Sequence, residues 1–67
     1  MSFRERVAEN IDDMIMRSGK TKTWIAKELN INLVTVIDYT KGRSIPSLEI
    51  FYELCQLLGC SYSEILD

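Results

Sequence analysis

Between Thr21 and Gly42 the chain reads TKTWIAKELNINLVTVIDYTKG, and this stretch restricts the fold more than any other. Ile25, Ala26 and Leu29 recur at the spacing of one helical face. The period stops at Asn30-Ile31-Asn32, a short polar break. A second period runs from about Leu33 to Lys41, with Val36 and Tyr39 inward and Leu33, Val34, Ile37 and Asp38 directed elsewhere. After glycine, asparagine best tolerates a positive φ, so Asn30 can end the first helix. Ile31 would plug the turn into a core, and Asn32 would cap the second helix. Ala26 offers a small side chain where two steeply crossing helices bring their backbones together. The rest of the chain reads as scaffold for presenting the second of these helices.

The flanking segments are helical as well. Ser2-Phe3-Arg4-Glu5 fits a reciprocal cap, and Val7, Ile11, Met14 and Ile15 then mark one apolar face up to Arg17, with Gly19 as terminator. Thr21 would cap the next helix by accepting from the amide of Thr23 or Trp24. Gly42 would end the third helix, and Ile45 is extended because Pro46 follows. Ser47 or its neighbour caps a fourth helix with Leu48, Phe51, Tyr52, Cys55 and Leu58 as inward positions, closed by Gly59. Ser61-Tyr62-Ser63-Glu64 opens a last short helix through Ile65 and Leu66. The expectation is an all-α single domain over 1–67, with helices over 3–17, 22–29, 33–41, 48–58 and 62–66 and no strand.

A chain of 67 residues holds one small core, which leaves little stability for an enclosed active site. No apolar run nears the roughly 20 residues that cross a bilayer, and the charged N-terminus lacks a leader's apolar stretch, so a cytoplasmic location is expected. Cys55 and Cys60 have no histidine or second cysteine pair to complete a zinc site, and they suit packing as small hydrophobes. Without histidine, a glycine-rich phosphate loop or a nucleophile with its base, an enzyme is not expected. Net charge is −2, yet the segment from Arg17 to Arg43 carries +4 and the remainder −6. Positive charge is concentrated where the two short helices lie, the distribution expected of a nucleic-acid-facing surface.

With these residues in view, the chain resembles the Cro/repressor-type helix-turn-helix proteins (the Xre family, or lambda-repressor-like domains). The family's first half is matched by Gly19-Lys20-Thr21-Lys22-Thr23-Trp24-Ile25-Ala26, and its turn by Asn30-Ile31-Asn32. Lys41-Gly42-Arg43-Ser44-Ile45-Pro46-Ser47-Leu48 resembles the end of its recognition helix and the loop that follows. Leu48-Glu49, Leu54-Cys55 and Leu58-Gly59-Cys60-Ser61 follow its C-terminal pattern, so that Cys55 and Cys60 replace small apolar residues. The similarity extends without a gap from about Val7 to Leu66.

The resemblance implies a compact five-helix fold and a DNA-binding regulator, a repressor acting as a homodimer on a palindromic operator. It implies phosphate contacts from Lys20, Thr21, Lys22 and Thr23 at the start of the second helix. Lys41, Gly42, Arg43 and Ser44 would make others after the third. It assigns base reading to Asn32, Leu33, Val34, Ile37 and Asp38. The dimer surface is sought among Phe51, Leu57, Tyr62 and Leu66. No cofactor, metal, membrane or small-molecule ligand is implied, and the protein would be bacterial or phage-encoded and act at the nucleoid.

Two departures from the family pattern matter. Relatives often carry hydrogen-bonding side chains at the reading positions, whereas this chain carries Leu33, Val34 and Ile37 beside the acidic Asp38. Apolar side chains can contact thymine methyls and Asp38 can accept from a cytosine amino group. Alternatively, the apolar triplet binds protein, as in an antirepressor or antitoxin-like interaction module. The basic flanks Lys20, Lys22, Lys41 and Arg43 favour DNA. Many relatives also pair an arginine in the first helix with a glutamate ending the third, and here Ile15 and Thr40 replace both partners. Loss of both charges together is compatible with the fold.

Overall fold

A computed structural model describes residues 2–67. α1 spans Phe3–Ser18, one residue beyond the expected end. Its start is held reciprocally: the Glu5 amide donates to Ser2 Oγ at 3.2 Å and the Ser2 amide donates to Glu5 Oε1 at 3.2 Å. The Ser2 amide, and secondarily the Ser2 hydroxyl, hold the Glu5 carboxyl below its ordinary pKa. α2 (Lys22–Leu29), α3 (Leu33–Lys41), α4 (Leu48–Leu58) and α5 (Tyr62–Leu66) complete the chain, and no strand occurs among the described residues.

The turn between α2 and α3 is formed by local bonds. Asn30 adopts the left-handed conformation at φ 56°, which frees its amide to donate to Lys27 O at 3.2 Å. The next amide, of Ile31, reaches back to Ala26 O at 3.0 Å. This pair of bonds satisfies carbonyls that the helix end would otherwise leave open. Ile31 then packs against the core, while Asn32 Oδ1 accepts from the Val34 amide at 2.8 Å and starts α3.

α1 lies across α3 and α5, α2 packs on α3, and α4 closes the assembly against α1 and α2. The centre is apolar throughout, with Ile11, Ile25, Val36, Leu54 and Ile65 essentially out of contact with water. Ile15 is buried there, and Thr40 turns its hydroxyl to Ile37 O at 2.8 Å. These two positions thus carry a buried apolar side chain and a satisfied hydroxyl. No buried side-chain nitrogen or oxygen lacks a partner among the described residues.

The inward face of α4 departs from expectation. Leu54 and Cys55 are the buried residues, with Phe51 and Leu58 half-buried beside them. Leu48 and Tyr52 point outward, at 83% and 53% exposure. At 3.6 residues per turn, Tyr52 lies roughly 110° from the centre of the arc set by residues 51, 54, 55 and 58. Leu48 is nearer that arc but occupies the first helical position and overhangs the core.

Candidate nucleic-acid interface

α2 starts with Thr21, whose Oγ1 accepts from the Trp24 amide at 3.0 Å, leaving its own O–H free to donate outward. The amides of the first turn have no acceptor within the helix and carry the positive end of its dipole. Lys20 Nζ sits 4.9 Å from the centre of the Trp24 ring, which holds the ammonium beside this helix start. Lys22 Nζ lies 3.7 Å from Asp12 Oδ1 on α1. Thr23 is exposed on the same turn.

At the far end of α3 the geometry corrects one expectation. The Gly42 amide donates to Asp38 O, and the Arg43 amide donates to the same carbonyl at 3.0 Å. Both are used to finish the helix, so the Gly42 amide is not free for a phosphate. Glycine suits this position for another reason, its left-handed φ of 75°; a Cβ there would meet Ala8 Cβ of α1 at an ordinary contact distance of 3.6 Å. Arg4 Nη1 donates to Arg43 O at 3.2 Å and fastens this loop to α1. Nothing in linear spacing foretold the Arg4 contact, which joins residues 39 apart. The Lys41 and Arg43 side chains are exposed, and Ser44 is half-buried.

Between these two ends α3 presents Leu33 at 38% and Val34 at 61% exposure, with Ile37 and Asp38 half-buried. Asn32 already uses its side-chain oxygen to cap α3, so only Nδ2 remains for an outside acceptor. Bidentate reading of adenine, which needs both atoms, would uncap the helix. Asp38 Oδ1 lies 3.4 Å from Arg43 Nη1. Spacing could have suggested this pair, since five residues separate them across the helix end.

A second exposed face lies on α4 and α5. The Phe51 and Tyr62 rings stand 5.4 Å apart between centroids, inclined at 43°. Together with Leu48, Tyr52 and Leu66 they line an open apolar cleft of about 410 Å³. A smaller cleft lined by Phe3, Val7, Ile45, Pro46, Phe51 and Leu66 continues it. Leu57 lies outside this lining, in an adjoining cleft with Glu28, Leu29 and Glu53 that shares Tyr52 with it. Of the four residues expected at a dimer surface, three converge and Leu57 lies in the neighbouring cleft.

Cys55 and Cys60 carry free thiols. Burial, reinforced by the neighbouring Cys60, raises the Cys55 pKa to about 11, and burial raises Cys60 as well. No group of three metal-ligating side chains occurs among the described residues, and no helix there is long and apolar enough to cross a membrane.

A family model described as helix-turn-helix matches residues 14–65, from the second half of α1 into α5. The chain has no match among curated proteins or solved structures.

Proposed function

Because the chain belongs to the Cro/C1-type helix-turn-helix family, and so is a DNA-binding helix-turn-helix regulator, we propose that it represses transcription by sequence-specific binding to double-stranded DNA. α3 enters the major groove. Lys20, Lys22 and the Thr21 and Thr23 hydroxyls hold one phosphate run at the start of α2, while Lys41, Arg43 and Ser44 hold another after α3. The observation that carries this reading is the exposed face of α3, with Lys41 and Arg43 at its end and Lys20 and Lys22 at the start of the α2 that packs on it.

Leu33, Val34 and Ile37 suit thymine methyl groups, Asn32 Nδ2 suits a base acceptor, and the Asp38 carboxylate suits a cytosine amino group. One such half-site contact is weak, so two copies bind a two-fold-related operator, joined through the face of Phe51, Tyr62 and Leu66. The regulator works in the cytoplasm without a cofactor.

Titrating the protein into random-sequence and AT-rich duplexes across a salt series tests this. Affinity should fall steeply with salt and favour the AT-rich duplex. The exposure of Leu33 and Val34 beside a carboxylate supports the second reading, a protein-binding module. Absence of binding even at low salt, with self-association abolished by Leu33→Ala or Ile37→Ala, would establish that second reading in its place.

A further inference from the structure

Two of the cations assigned to phosphate already face carboxylates of the chain itself. At the α2 end, Asp12 Oδ1 of α1 stands 3.7 Å from Lys22 Nζ. At the α3 end, Asp38 Oδ1 stands 3.4 Å from Arg43 Nη1, and the Asp38 carbonyl takes the Arg43 and Gly42 amides. The two pairs lie on different elements and arise independently. Lys41, in contrast, takes part in no ion pair among the described residues.

We infer that Asp12 and Asp38 are affinity-setting residues which compete with DNA phosphates for Lys22 and Arg43; this rests on the DNA-binding reading above. A phosphate that engages either cation must displace a carboxylate, which then remains beside the incoming negative backbone. On a random-sequence duplex, where any base contact of Asp38 averages out, each acid therefore weakens binding. Partly exposed pairs hold weakly, so the attenuation is graded and the cations stay recruitable. Because screening acts on these pairs as well as on phosphate contacts, the acids also flatten the salt dependence.

The test measures binding of the full chain to a labelled random-sequence duplex, which averages out base reading, across a salt series. Asp12→Asn and Asp38→Asn should each tighten binding by roughly two- to five-fold and steepen the salt slope. Glu53→Gln changes net charge equally on α4 but has no ion pair among the described residues, and it should change affinity much less. In an Arg43→Gln background the gain from Asp38→Asn should shrink. Thermal melts identify any variant that has lost its fold, for which Asp12→Ser or Asp38→Ser is substituted. Unchanged or weakened binding by both asparagine variants, with the parent protein binding normally, overturns the inference alone. Equal tightening by Glu53→Gln also overturns it, by assigning the effect to total charge. If neither parent nor variants bind at the lowest salt, the DNA-binding reading fails and this inference with it.

Discussion

Asn10 Nδ2 of α1 donates to the Ile65 carbonyl of α5 at 2.8 Å, joining residues 55 apart in the chain. α5 has only five residues, too few to persist alone, so its attachment rests on this bond and on burial of Ile65. Asn10→Ala should remove a donor from a part-buried carbonyl and cost about 1–2 kcal/mol. For a domain of this size, a melt followed by circular dichroism should shift down by roughly 5–10 °C.

The left-handed residue between α2 and α3 gives a second prediction. Asn30 at φ 56° is the one non-glycine residue with positive φ among those described. Asn30→Ala should cost about 1 kcal/mol because alanine keeps the Cβ that crowds the following carbonyl but lacks the short polar side chain that offsets it, whereas Asn30→Gly should be close to neutral. Urea denaturation of the two variants separates them, and a larger loss for glycine than for alanine would contradict the assignment.

Lys41 offers the cleanest count of a phosphate contact. Its side chain has no carboxylate to leave, so Lys41→Ala should lower the salt slope of DNA binding by about one unit without altering sequence preference. A changed base preference in selected duplexes would instead make Lys41 a reader.

The apolar cleft on α4 and α5 predicts self-association. Leu48 is 83% exposed and contributes almost nothing to the core, so Leu48→Lys should leave the melting temperature nearly unchanged. It should nonetheless weaken the proposed dimer in sedimentation experiments. A stable dimer after this substitution, and after Tyr62→Ala, would move the interface elsewhere.

The thiols predict an alkaline effect. Cys55 has its folded pKa raised to about 11 from an ordinary value near 9.0. Between these values the unfolded chain loses a proton that the folded chain keeps, so stability falls as pH rises from about 9 toward 11. Cys55→Ala should reduce that pH dependence in denaturation measured at pH 8 and 10, leaving the part due to half-buried Cys60 and buried Tyr39. At neutral pH a thiol reagent should modify half-buried Cys60 before Cys55.

Local chemistry made most of this fold legible. Ser2, Thr21, Asn32 and Ser47 cap helices through bonds to amides two or three residues away, and Gly19, Asn30, Gly42 and Gly59 end them. All of that is written within a few positions of sequence. The contacts that set one helix against another were not legible. Asn10 to Ile65 and Arg4 to Arg43 depend on where the chain returns, and periodicity carries no such information. The α4 face was misread at Leu48 and Tyr52 because a helical stripe tells which side is apolar, not how far the neighbouring elements extend. At the candidate interface the residue types were visible, but not the commitments of their atoms: the Gly42 amide and Asn32 Oδ1 are already engaged.

The seating of α3 has an evolutionary consequence. It is held at its start by the Asn32 cap and Ile31, and at its end by Gly42 against Ala8 with Arg4 on the Arg43 carbonyl. The Leu33 and Val34 side chains, unlike the Val34 amide, take no part in these anchors. Those two positions can drift freely without loosening the helix that carries them. On the proposed reading, a lineage built on this scaffold changes its operator by single substitutions at these positions, each nearly silent in stability, while the frame beneath is inherited intact.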